Sequence, residues 1–184
     1  MPKLSDAELH QFLGERRHLA RIATLKPDGA PSVVPVWFVL ENGKILIAGR
    51  KQSAFNANIQ RDPRVAITVD EEVGNCRKVL IEGRAQILAA PGRDDTWRDV
   101  LRRIADRYVD ADSADTYLAA TDDQPRALIG VDLAGAKITT WRMPGEGEPI
   151  SGVWHKRYYE PGSKMAVAVK TGKLDSVVGK FTPN

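Results

Sequence analysis

The sequence predicts a mainly β protein, an antiparallel barrel of six or seven strands with short helices inserted. Three observations predict it. Apolar runs of strand length follow one another closely, from residue 18 to 88 and again from 127 to 141. Two joints between them, Lys26-Pro27-Asp28-Gly29 and Glu41-Asn42-Gly43, carry hairpin-turn residues. Helical patterning is confined to short insertions, so strands do not alternate with helices as in a βαβ sheet.

The elements follow in order. Ser5-Asp6-Ala7-Glu8 reads as a capping box, with Leu4 and Leu9 placed for a hydrophobic staple. The short helix behind it puts Leu9, Phe12 and Leu13 on one face. His18 to Leu25 reads as a first strand. Val33 to Leu40 reads as a second, apolar on both faces and therefore buried on both sides, with Pro31 and Pro35 marking an edge or a bulge. Lys44 to Ala48 is the third, which makes the first three a consecutive antiparallel meander. Ser53 to Gln60 is a short helix with Ser53 as N-cap and Phe55 and Ile59 inward; Asp62-Pro63 stops it. Strands follow at Arg64 to Asp70 and Lys78 to Leu88, joined by a polar turn through Gly74 and Asn75. Trp97, Leu101, Ile104 and Tyr108 recur at helical spacing between Asp94 and Val109. A weaker helix is expected from Ser113 to Ala120. Ala127 to Val131 and Lys137 to Trp141 form a final strand pair. Met165 to Val169 is a short strand candidate. The expected organisation is a barrel over residues 1–143 and a C-terminal extension over 144–184 that packs on it.

Composition narrows the class. With 184 residues, 42% of them hydrophobic, the chain can bury one sizeable core. Cys76 is the only cysteine, so no internal disulfide forms, and the N-terminal residues lack a leader's apolar stretch. The expectation is a cytoplasmic protein with no membrane span. Net charge is +3 and the pI about 9.0, but acids interleave with the bases, which argues against a nucleic-acid stripe. Nucleophile-elbow, P-loop and dinucleotide-binding glycine motifs are missing, and His10, His18 and His155 lie too far apart to suggest a metal site. No residue stands out as a catalytic acid or base.

The informative stretch is Gly49-Arg50-Lys51-Gln52-Ser53. Gly49 ends a strand and permits close backbone approach. Arg50 offers a guanidinium fork and Lys51 a point charge. Ser53 opens a helix whose free amides favour an anion. Together these residues make a candidate phosphate seat. Trp154-His155-Lys156-Arg157-Tyr158-Tyr159 mixes rings with cations, which suits either packing on the barrel or covering a bound ring.

The order Ala23-Thr24, Asp28-Gly29-x-Pro31, Val34-Pro35-Val36-Trp37-Phe38, Ser53, Asn58-Ile59, Asp62-Pro63-Arg64-Val65 and Val79-x-Ile81-x-Gly83-x-Ala85 resembles the pyridoxamine 5′-phosphate oxidase-like superfamily. Its flavin/deazaflavin oxidoreductase branch is the best match, over roughly residues 5–142. The resemblance implies a homodimeric split β-barrel with cofactor, FMN or coenzyme F-420, bound in a groove at the dimer interface. It implies that Val34, Pro35, Val36, Trp37 and Phe38 lie along the flavin or deazaflavin ring. Gly49, Arg50, Lys51 and Ser53 would hold the phosphate, and Arg77, Lys78 and Val79 would meet the ring edge from the partner subunit. The chain departs from the oxidases themselves: Phe55 stands where they carry a lysine, the second strand is apolar, and a glutamine expected near Lys78 is missing. That points away from pyridoxamine phosphate as substrate.

The implied function is oxidoreduction: hydride passes between the cofactor and a small conjugated or planar acceptor. The alternative is a non-catalytic protein of the same fold that stores or senses a flavin or haem.

Overall fold

The computed structural model describes residues 2–72, 74, 76–148 and 158–173. They fall into two compact units, one of residues 10–70 and 79–139, the other of 1–9, 71–78 and those from 140 onward.

The larger unit carries the sheet. Its strands are β1 (Ala20–Leu25), β2 (Pro31–Val36), β3 (Phe38–Glu41), β4 (Lys44–Arg50), β5 (Arg64–Asp70), β6 (Lys78–Ala89), β7 (Arg126–Asp132) and β8 (Lys137–Trp141). The order is β2-β1-β5-β6-β7-β4-β3, and β8 pairs with β6 off this path. The hairpins β1–β2 and β3–β4, and the pairs β1–β5, β4–β7 and β6–β7, are antiparallel. The two ends of the path, β2 and β3, are consecutive in the chain with only Trp37 between them. The sheet therefore curls until its edges come from one continuous stretch, which is the expected split β-barrel.

That stretch also corrects the expected second strand. Val33 to Leu40 is two strands, so the predicted meander is two hairpins on opposite edges, and the strand count among the described residues is eight. The break has a local cause. The Phe38 amide donates to the Tyr108 hydroxyl at 3.1 Å, and that hydroxyl donates to the His18 carbonyl at 2.8 Å. A side chain thus takes the place of a ladder bond. The Trp37 ring stacks on Tyr108, with centroids 4.9 Å apart and planes 5° from parallel.

Burial on both faces belongs to β3 and β4 instead of β2. In β2 exposed and half-buried residues alternate, and Val33 is 60% exposed. Phe38, Ile47 and Ile129 lie opposite one another across β3, β4 and β7, and all are fully buried. On the opposite face Val39, Leu46 and Leu128 pack with Trp97, Leu101 and Ile104. These last come from a 3-10 turn (Asp94–Trp97) and α3 (Arg98–Asp106), which together replace the single helix expected from 94 to 109. α4 (Ala111–Ala119) follows, capped by Asp110, whose carboxylate accepts from the Ser113 amide.

Other expectations stand or fall on local chemistry. In α1 (Asp6–Gly14) the Ser5 amide donates to the Glu8 carboxylate at 2.7 Å and the Glu8 amide to the Ser5 hydroxyl at 3.3 Å, which is the capping box. Leu4 and Leu9 are both buried, as a staple requires. Asn42 and Gly43 have φ of 49° and 72°, the left-handed pair of a tight hairpin. α2 (Ala54–Arg61) stops before Asp62-Pro63. β8 does not pair with β7, so the expected final strand pair is corrected: both strands flank β6.

In the smaller unit the strand candidate at 165–169 is part of a helix, α5 (Lys164–Thr171). A five-residue apolar run cannot distinguish the two periods. The caps decide: the Ser163 hydroxyl accepts from the Ala166 amide, and Gly172 leaves the helix at φ 68°. Arg142 forks onto Glu148 at 2.9 and 3.0 Å, and Arg77 onto Glu71 at 2.7 and 2.9 Å. Gly74 turns at φ 80°; Asn75 and residues 154–157 of the aromatic–basic stretch lie outside the described residues.

Candidate functional site

β4 runs outward from the core until its alternation places Leu46, Ala48 and Arg50 on the face covered by α3. Arg50 is exposed at the strand's end, opposite Arg126 of β7. The chain then turns into α2 through Lys51, Gln52 and Ser53. An open cleft of about 360 Å³ lies here, lined by Arg50, Lys51, Gln52, Ser53, Gln124 and Pro125. The structure thus brings three of the expected phosphate-holding residues to one cavity.

Ser53 stands at the N-cap with extended backbone, but its hydroxyl does not cap. It donates to the Arg50 carbonyl at 2.8 Å and so ties the turn together. The Ser53 amide donates to the same carbonyl at 2.9 Å. Among the described residues the amides of Ala54 and Phe55 meet no acceptor, which leaves a positive helix end. Arg50 and Lys51 have no carboxylate partner among the described residues. Two free cations beside open amides give the electrostatics of an anion seat.

Gly49 also has a packing part. It is buried, and a Cβ there would meet Ile129 Cδ1 at 2.9 Å and the Phe55 ring at 3.2 Å. The missing side chain makes room for core packing.

The remaining expected residues lie elsewhere. Pro35 is exposed, Val34, Val36 and Trp37 are half-buried, and the Phe38 ring is wholly buried under the Arg107 guanidinium, 4.5 Å from its centroid. Val36, Trp37 and Ala48 border a smaller cavity of about 160 Å³ beneath Leu101, Ile104, Ala105 and Tyr117. Ala48 and Arg50 share a strand face two residues apart, so this cavity and the basic cleft are neighbours along β4. Arg77 is held by Glu71, Lys78 is half-buried and Val79 is fully buried. Of the other cations near α2, Arg61 donates to the Leu25 carbonyl, and Arg64 grips Asp62 at 2.6 Å. Hydrogen bonds from the Arg64 side chain, then from its amide, lower the Asp62 carboxyl to a pKa of about 2.

Sequence reasoning missed the far wall of the cleft. The Lys51 amide donates to the Pro125 carbonyl at 2.9 Å, which joins the β4 end to the segment before β7. Nothing local in Thr121-Asp122-Asp123-Gln124-Pro125 signals this, because the pairing of β4 with β7 spans about eighty residues.

A split barrel with a basic cleft between a strand end and a helix start defines a class of small split-barrel proteins. Within it, the chain belongs to the pyridoxamine 5′-phosphate oxidase family, whose model matches residues 5–143. It is 36% identical over 110 residues to the F420H(2)-dependent biliverdin reductase of Mycobacterium tuberculosis (strain CDC 1551 / Oshkosh), a match covering 58% of this chain and 73% of that protein. The crystal structure of a conserved hypothetical protein from Mycobacterium tuberculosis shares the fold with a TM-score of 0.62 at 20% identity, over 88% of this chain and 94% of that one. HutZ, the heme storage protein from Vibrio cholerae, shares it with a TM-score of 0.58 at 17% identity, over 76% and 96%.

Proposed function

We propose that the protein is an oxidoreductase that binds coenzyme F-420 or FMN and passes hydride between it and a small conjugated or planar acceptor. The observation that carries this reading is the basic cleft, where Arg50 and Lys51 stand without carboxylate partners among the described residues, beside the open amides of α2. These residues fit a phosphate. The Arg50 fork and the Lys51 charge would hold it, and the Ala54 and Phe55 amides would donate to its oxygens. The half-buried apolar residues Val34, Val36 and Trp37 would flank the ring and shield it from water. Arg77, Lys78 and Val79 are assigned to the edge of the ring bound by a partner copy. The cofactor itself supplies the redox chemistry, and the protein orients and encloses it. The 36%-identical relative is an F420H(2)-dependent reductase by name, which favours the deazaflavin over FMN.

The test is a titration of FMN and coenzyme F-420 into wild type, Arg50→Ala and Arg98→Ala, followed by fluorescence quenching. A hydrogen bond to a charged group contributes about 1.5–3 kcal/mol. Arg50→Ala should therefore bind roughly tenfold to a hundredfold more weakly, while Arg98→Ala, exposed at the start of α3, should bind as wild type does. Equal binding by all three proteins refutes the seat. Reoxidation of reduced cofactor by planar acceptors, faster than without protein, marks the enzyme; tight binding without turnover marks a storage or sensing protein.

A further inference from the structure

The cleft's far wall is held by one buried arginine. Arg126 is 3% exposed, yet it begins a strand directly opposite the exposed Arg50. Its Nη1 donates to the Thr121 carbonyl at 3.0 Å and to the Gln124 carbonyl at 2.9 Å, and its Nη2 donates to the Thr121 hydroxyl at 2.5 Å. Its own amide donates to both Asp94 carboxylate oxygens, at 3.1 and 2.9 Å, and its guanidinium lies 5.8 Å from the Tyr117 ring centre. One side chain thus grips both ends of the segment 121–124. The Asp94 carboxylate is 3.9 Å from Nη1, so the guanidinium's close partners are almost all neutral oxygens of this segment.

The segment carries two acids. Asp122 and Asp123 are exposed, and neither lines the cleft; the residues that do are the neutral Gln124 and Pro125. Arg50 and Lys51 stand across the cleft from them. Two carboxylates released next to two free cations would pair with them and compete with any anionic ligand.

We propose that Arg126 is a positioning residue for the anion cleft: it clamps segment 121–124 so that Gln124 and Pro125 face Arg50 and Lys51 while Asp122 and Asp123 are kept out. This rests on the reading of the cleft as a phosphate seat. Arg126 touches no ligand; it acts through the segment that it holds.

The experiment uses inorganic phosphate as the probe and reads amide ¹⁵N–¹H shifts of Lys51, Ser53 and Ala54 in the full chain. Wild type should shift in a saturable way. Arg126→Gln should bind phosphate roughly tenfold more weakly, the effect of one charge-assisted contact. Adding Asp122→Asn and Asp123→Asn to that variant should restore most of the loss, because the competing charges are gone. Loss of packing alone would not be repaired by removing two exposed acids. If Arg126→Gln does not fold, Thr121→Val removes the hydroxyl that accepts from Arg126 and donates to the Tyr117 carbonyl, and should show a smaller loss that the same two asparagines repair. Unchanged phosphate affinity in the folded variant overturns the clamp, and so does a loss that the asparagines leave unrepaired. If wild type itself gives no shift at these amides, the phosphate seat fails and the proposal fails with it. The two failures are distinguished by which protein is silent.

Discussion

Single residues carry costs that depend on what surrounds the missing or added atoms. At Gly49 an added Cβ would press on the fully buried Ile129 and on the half-buried Phe55 ring. Gly49→Ala should destabilise the protein by about 1–3 kcal/mol, as overpacking does, read as a lower urea midpoint. Gly130→Ala would meet Leu88 Cδ1 at a nominally closer 2.7 Å, but Leu88 is 44% exposed and can turn aside. Its midpoint should move less. Asp62 makes the matching electrostatic case. Its folded pKa of about 2 lies below the ordinary 3.8 because Arg64 donates to the charged form. The stabilisation is therefore present above the ordinary value and is lost as pH falls through about 2. An NMR titration of the carboxyl should find its midpoint there, and Arg64→Ala should return it toward the ordinary range.

At the scale of elements, the joint between β2 and β3 depends on a residue seventy positions away. Tyr108 accepts from the Phe38 amide and donates to the His18 carbonyl, and burial is the main cause that raises its pKa above 10.0. Tyr108→Phe keeps the ring stacked on Trp37 but leaves both backbone groups without their partner. An unsatisfied buried polar group costs about 1–3 kcal/mol. The variant should lose stability on that scale in denaturant melts, and the Phe38 amide should exchange faster than those of β1. A shift confined to global stability, with no change at Phe38, would contradict the role given to the hydroxyl.

For the whole molecule, the exposed side of β2 sets the expectation. Pro31, Val33 and Pro35 are exposed on an edge strand, and the two prolines can donate nothing to a further ladder. Side chains rather than strand pairing would meet a partner there, and burial of such an apolar strip favours association. Light scattering at micromolar concentration should give twice the 20.3 kDa chain mass; a monomer would refute the proposed homodimer. No helix among the described residues is long and apolar enough to cross a membrane.

Whatever depends on neighbours in the chain was legible from the sequence. The capping box at Ser5 and Glu8, the Asn42-Gly43 turn, the stop at Asp62-Pro63 and the apolar periods of β1, β4, β5 and β6 are all specified within a few residues. So was the approach of Arg50, Lys51 and Ser53, because one tight turn contains them. Only the tertiary structure decided the rest. Val33 to Leu40 breaks at Trp37 because Tyr108, from after α3, supplies a hydroxyl where a ladder bond would be. Gly49 is small because Ile129 fills its space, and the cleft has a second wall because β7 pairs with β4 and Arg126 holds the segment before it. Hydrogen bonds and packing between distant residues leave no periodic mark in either partner, so a local pattern shows which residues can make a strand, a turn or a charge and not what each will meet.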